Sequence, residues 1–269
     1  MKNMNPIRLM AFFLAFFLFL GAFSPSVFAA DAAEMADVYV VTGLTSEENG
    51  WSLEYRYSYD KNGLLAVCDM ESGTYQYEYK KDCLKKITVT PKEGSGNSDS
   101  EVTNNYYGKK GRLRRIVQTI TSAEGKATVT TTKNEYDKEG RLTKKTASTE
   151  GVEGETVSSY QYDEDGNLTE MHTQFPDKMS VSMQYTYTKK RGNPKKAVMS
   201  IVTELQETSA TMLYRYTYEN DLMMKKVRLT SGSDSKTVYR YSYQLIQVPQ
   251  NGLDMVKAQQ KAILQNIVL

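Results

Sequence analysis

Aromatic and polar positions alternate with a period of two along much of this chain. Tyr55, Tyr57 and Tyr59 are separated by Arg56 and Ser58, and Tyr75, Tyr77, Tyr79 and Tyr214, Tyr216, Tyr218 repeat the pattern. Period two places the rings on one face of a strand and the polar residues on the other. Each tyrosine run is followed by a short Asp/Asn/Gly segment, a Leu, and a basic, β-branched segment such as Leu113-Arg114-Arg115-Ile116-Val117. In Asp60-Lys61-Asn62-Gly63 the aspartate stands first and the glycine fourth. Asp bonds the backbone two residues on and Gly accepts positive φ, so the segment predicts a type I turn with a Gly bulge closing a hairpin. Asp137-Lys138-Glu139-Gly140 and Asp163-Glu164-Asp165-Gly166 repeat it.

About eight copies of this hairpin follow one another, beginning at Tyr55, Tyr75, Asn105, Glu135, Tyr160, Tyr185, Tyr214 and Tyr239. Their anchors are Leu64, Leu84, Leu113, Leu142, Leu168, Leu222 and Leu245, with Pro194 in the sixth copy. The spacing, about 20 to 30 residues, is that of a repeat array. One hairpin alone is marginal in water, so neighbours must pair edge to edge. The expected fold is all-β: a long antiparallel meander of hairpin repeats forming a twisted or curled sheet over residues 51–248. Lys and Arg on the second strands are expected over nearby rings. Residues 30–50, with the apolar run Val38 to Val41, read as a lead-in or edge strand. Residues 249–269 read as a helix that caps the sheet, with Leu253, Val256, Ile263 and Ile267 on one face and Gln260 interrupting it.

Residues 1–29 stand apart. Lys2 and Arg8 precede an apolar run from Leu9 to Phe23, a Ser-Pro-Ser break and Val27-Phe28-Ala29. This is the layout of a secretory signal peptide cleaved after Ala29, which implies a secreted or extracytoplasmic protein. Its removal takes away two of the 34 basic residues and none of the 32 acidic ones. The balance that results argues against nucleic acid as a partner, and membrane contact is expected only during export. Tyr outnumbers Phe 20 to 8, and there is one Trp. Tyrosine packs its ring and keeps its hydroxyl hydrogen-bonded, which suits a half-exposed sheet.

The motif Tyr-Asp-x-x-Gly-x-Leu stands intact at Tyr59 to Leu65, Tyr136 to Leu142 and Tyr162 to Leu168. In these residues the chain resembles the YD-repeat, or Rhs-type, family of bacterial proteins. The resemblance implies a long curled sheet, in some members a shell around a toxin domain, and carbohydrate binding has been proposed for the family. The chain differs from large members in having few units and no toxin-like C-terminal domain.

Catalytic, metal and cofactor signatures are not found. The one histidine, His172, falls on an ordinary repeat strand. Asp163 to Asn167 opens like a calcium loop but lacks the glycine and glutamate spacing, so it reads as a turn. With Glu71-Ser72-Gly73 as the turn, Cys68 falls opposite Gln76 and Cys83 opposite Tyr79, two strands apart and too distant for a disulfide. An outer-membrane barrel needs an apolar outer band, whereas Ala127 to Glu135 is polar and rich in threonine. The expected function is a secreted, non-catalytic repeat scaffold for cell-surface or extracellular interaction. Its candidate ligand-binding residues are Tyr55, Tyr57, Tyr59, Tyr214, Tyr216, Tyr218 and Trp51. Flat aromatic faces stack on sugars, so a glycan or another cell-envelope component is the expected partner; the alternative is that these rings only pack the sheet and that Trp51 covers its edge. The other functional class is an extracytoplasmic carrier or small shell holding a lipid or peptide.

Overall fold

The computed structural model describes residues 34–81, 83–95, 98–108, 111–188, 193–232 and 235–266, so the expected signal peptide lies outside the described residues. The first repeat is β2 (Trp51–Tyr59) and β3 (Leu65–Met70). The turn between them forms as its residues dictate. Gly63 N–H donates to the Asp60 carbonyl at 3.0 Å, while the Asp60 carboxylate accepts from the amides of Asn62 and Leu64 at 2.8 and 2.9 Å. Gly63 has φ of 78°, the left-handed conformation that glycine adopts without strain. The Asp163 carboxylate is likewise used by its own turn, accepting the amide and side chain of Asn167.

Six further hairpins follow: β4 (Gly73–Lys80) with β5 (Cys83–Pro91), β6 (Ser100–Tyr107) with β7 (Leu113–Thr121), β8 (Ala127–Tyr136) with β9 (Leu142–Thr149), β10 (Thr156–Tyr162) with β11 (Leu168–Gln174), β12 (Ser180–Tyr187) with β13 (Pro194–Val202), and β14 (Glu207–Glu219) with β15 (Leu222–Thr230). The last tyrosine strand, β16 (Lys236–Pro249), has no second strand after it; its partner is β1 (Met35–Glu48). Because β1 also pairs with β2, sixteen strands close into a barrel. The expected all-β meander is present, and the twisted or curled sheet expected of it is a closed barrel. The lead-in is no edge strand: it completes the eighth hairpin and removes both edges, which is how closure disposes of unpaired backbone.

Paired residues share a face, so the register fixes which side chains point inward. Each tyrosine strand shifts register just before its last tyrosine. Opposite that tyrosine stand Leu65, Leu84, Leu113, Leu142, Leu168, Pro194 and Met223. The expected anchors Leu64 and Leu222 are therefore each one residue early, displaced by the bulge. In the eighth hairpin Val41, opposite Tyr243, takes the place expected for Leu245, which is 49% exposed. The cysteine register also shifts by one: Cys68 faces Tyr75 and Cys83 faces Lys80, and the two are not joined by a disulfide.

The last tyrosine of the motif has a structural task. At the turn end of the barrel, successive hairpins splay apart. The β3–β4 ladder, for example, runs only from Val67 to Met70, leaving the Leu65 carbonyl beyond it. Tyr79 donates its hydroxyl to that carbonyl at 3.0 Å. The same clamp recurs from Tyr107 to Leu84 (2.8 Å), Tyr136 to Leu113 (2.7 Å), Tyr162 to Leu142 (2.9 Å) and Tyr187 to Leu168 (2.7 Å). Tyr243 to Met223 and Tyr59 to Val41 complete it across the closing strands. In the seventh unit Tyr216 serves instead of Tyr218 and bonds the Pro194 carbonyl at 2.6 Å. Each clamp satisfies a backbone group the sheet leaves open and ties one repeat to the next.

Helix α1 (Leu253–Asn266) follows one turn of 3-10 helix, Gln250–Gly252, and plugs the turn end. Met255 and Val256 pack with Val38, Val40, Leu64 and Val248, and Ile263 reaches Leu44, Leu65 and Tyr241. Gln260 does not interrupt the buried face. Its side-chain oxygen accepts the Val41 amide at 2.8 Å, an N–H freed by the bulge in β1. Gln259 accepts the Leu65 amide at 2.9 Å and donates to the Tyr79 hydroxyl at 2.7 Å. Ile267 lies outside the described residues.

Candidate functional site in the barrel lumen

The tyrosine stripes face the lumen. Tyr55, Tyr57 and Tyr59 pack with Val41, Leu44, Tyr241 and Ile263. Tyr214 and Tyr216 join Met171, Met183, Tyr185 and Met212. Tyr218 lies against the first cluster and accepts the side-chain amide of Asn193. Six of the seven expected ligand residues are thus inward, and the remaining one, Trp51, is at the opposite, open rim with 81% of its surface exposed. Trp51 does not cover the sheet edge.

Outward positions on these strands carry polar and charged side chains. Arg56, Glu78, Lys133, Glu135, Gln161, Gln184, Arg215 and Arg240 are exposed, and pairs such as Lys86–Glu78 and Lys144–Glu135 bridge adjacent strands on this face. Exposed pairs of this kind contribute little stability; what they show is a polar outer wall. His172 is on it, exposed. The expected cation–π contacts are present on both faces: Arg115 lies 4.2 Å over the exposed Tyr106, and Lys85, Arg112 and Arg141 lie over Tyr107, Tyr136 and Tyr162.

A circular barrel of sixteen strands leaves an aqueous channel, and here large side chains enter that space. Burial raises the Tyr57 and Tyr77 hydroxyls well above the ordinary phenol value, yet both rings are only half-buried by surface. The hydroxyls of Tyr160, Tyr185 and Tyr241, the Lys226 amine, Arg228 Nε and Gln260 Nε2 are buried without hydrogen-bond partners. Native interiors contain few such groups.

Lys145 and Lys226 stand inside. Lys145 faces Asn134 and Ser158, with its amine 5.7 Å from the Tyr160 ring, and burial lowers its pKa to about 8. Lys226 is fully buried, 4.5 Å from the Tyr239 ring. Burial first, and the Arg228 charge second, hold its pKa well below the ordinary ammonium value. Arg228 itself pairs with Glu48 at 3.2 Å. Burial pushes the Glu48 carboxyl up, but bonds from Ser235, Thr237 and Arg228 outweigh it and hold its pKa low. The sequence signals strand residues here but not direction: Lys145 and Lys226 read as part of a basic strand face until the register turns them inward. Among the described residues, no group of three or more His, Cys, Asp or Glu is placed to hold a metal, and no helix is long and apolar enough to cross a membrane.

In shape the chain is similar to a porin-like protein from Bacteroides uniformis, at 12% identity and a TM-score of 0.49, covering 76% of this chain and 98% of that one. A porin-like protein from Bacteroides vulgatus is similar at 15% identity and a TM-score of 0.41, with coverage of 76% and 98%. Part of a TcdB2–TccC3–TEV structure is similar at 10% identity and a TM-score of 0.31, covering 71% of this chain and 13% of that one. No curated protein matches the chain. Residues 136–177, which hold two of the three intact Tyr-Asp motifs, match the RHS Repeat family model, so this segment is similar to RHS (YD) repeats.

Proposed function

We propose that this protein is a non-catalytic, extracytoplasmic carrier: a water-soluble barrel that holds a largely apolar ligand in its tyrosine-lined lumen. The observation that carries this reading is the direction of the stripes, with rings and methionines inward and charges, apart from Lys145, Lys226 and the Arg228–Glu48 pair, outward. That is the reverse of a membrane barrel, whose outer band is apolar. The RHS repeat and the signal-like start of the sequence support the extracytoplasmic location. Between the two functions expected from sequence, inward rings favour the carrier over a glycan platform on an exposed tyrosine face. A glycan or cell-surface contact has one specific feature in its favour, the exposed Trp51 at the open rim beside the half-exposed Leu53.

Two measurements separate these readings. N-phenylnaphthylamine, a neutral apolar probe, is expected to bind the folded mature protein saturably and to gain fluorescence. Absence of saturable binding sinks the carrier reading. On a glycan array, Trp51→Ala is expected to behave as the parent does; binding by the parent that Trp51→Ala abolishes would move the function to the rim.

A further inference from the structure

The repeat exposes one departure from its own rule. In the middle layer of the lumen, the residue paired with the inward Tyr or Asn is apolar in six of the eight hairpins: Cys68, Ile87, Ile116, Met171, Ala197 and Leu44. In the other two it is Lys145 and Lys226. The fold therefore asks for an apolar residue at this position. A lysine there is a cost to folding, because burying an ammonium requires a partner and burying a neutral amine still forfeits its hydrogen bonds.

Lys226 is the sharper case. Its side chain is fully buried and its amine has no hydrogen-bond partner. The groups facing it are Tyr214 and Tyr216 on β14, Thr237, Tyr239 and Tyr241 on β16, and Arg228 on its own strand. None is an acid, and the carboxylate nearest this wall, Glu48, is taken by Arg228, Ser235 and Thr237. The other partnerless groups on this wall, Arg228 Nε and the Tyr241 hydroxyl, both have a proton to donate. Of these groups only the Tyr241 hydroxyl can also accept, so the set is rich in donors. Next to it, Met223, Ile263 and Leu264 form an apolar surface.

We infer that the inner wall formed by β14, β15 and β16 binds the carboxylate of a ligand whose body is apolar, with Lys226 as its ion-pairing residue and the Tyr241 hydroxyl as a second donor. This rests on the carrier reading and names the chemistry of its ligand. A fatty acid and an aromatic acid share that chemistry, so both are tested.

Binding of parinaric acid and its methyl ester, and of naphthoic acid and its methyl ester, is measured on the full mature chain and on Lys226→Met. At least one acid is expected to bind the parent about tenfold or more tighter than its ester, the scale of one charge-assisted hydrogen bond. Lys226→Met is expected to fold, since methionine fills the same layer at position 171, and to bring the acid down to the affinity of its ester while leaving the ester unchanged. Lys226→Gln gives the same comparison should the methionine variant not fold. Which acid shows the preference identifies the source. Equal binding of acid and ester by the parent, or an acid preference that survives in the variant, overturns the carboxylate site while leaving the carrier reading intact. If esters, acids and N-phenylnaphthylamine all fail to bind, the carrier reading itself is lost.

Discussion

Raised above pH 10, the protein is expected to unfold in one cooperative step in which its buried tyrosines ionise together. A free tyrosine loses its proton near 10.0, and burial raises Tyr75, Tyr162, Tyr187 and Tyr214 to about 12, with many others pushed up as well. A group whose folded pKa is raised contributes stability that is intact below its unfolded pKa and lost as pH climbs through the folded one. The loss begins near pH 10 and accumulates toward 12, multiplied by every inward ring. Ionisation would also cost the clamps, whose hydroxyls must donate. Lys145 acts in the opposite sense. Its folded pKa of about 8 lies below the ordinary 10.5, so the penalty of burying it is full below 8 and relieved between 8 and 10.5. Stability should therefore rise modestly from pH 8 to 10 and then collapse. Tyrosinate absorbance and far-UV circular dichroism, followed in one titration, are expected to change together; tyrosines that ionise near pH 10 with the sheet intact would place them on the outer face.

The largest effect of a single substitution is expected at Gly63. A Cβ there would lie 2.4 Å from Val248 Cγ1 and within 3.3 Å of Val256 and Ile246, where the β1–β16 ribbon and the helix cover the first turn. Valine is stiff, so the clash moves backbone. Gly63→Ala combines left-handed strain of about 1–2 kcal/mol with overpacking of about 1–3 kcal/mol. Gly166 occupies the same place in another copy of the turn, with φ of 80° and open space for 4 Å around the point where a Cβ would stand. Gly166→Ala should cost only the strain. Denaturant unfolding of the two variants separates the terms, and equal losses would mean that the helix and ribbon do not cover the first turn.

How much of this was legible depended on what a single strand can reveal. The tyrosine period, the Asp–Gly turns and the helix beginning at Leu253 were readable because each is a local pattern with a local cause. Closure was not. Val38 to Val41 carries no repeat motif, and its pairing with β16 spans nearly the whole chain, so no local signal joins it to Tyr243. The anchors slipped by one at Leu64 and Leu222 because each neighbours another apolar residue, and only the bulge decides which turns inward. Gln260 read as a fault in an apolar face because its partner, the Val41 amide, exists only once β1 is in place. Tyr55, Tyr57, Tyr59, Tyr214, Tyr216 and Tyr218 were correctly grouped into stripes, but an alternating strand does not say which side of a sheet will be enclosed.

Closure of the sheet by β1 and β16 is what makes the tyrosine face a lumen, and it can be tested at the seam. Thr45 and Arg240 are paired across it on the outer face, within the range of Cα separations that a disulfide spans. In a protein with Cys68→Ala and Cys83→Ser, the pair Thr45→Cys and Arg240→Cys is expected to oxidise within one chain to near completion under native conditions. Thiols that remain reduced, or that cross-link only between chains, would contradict the closed barrel.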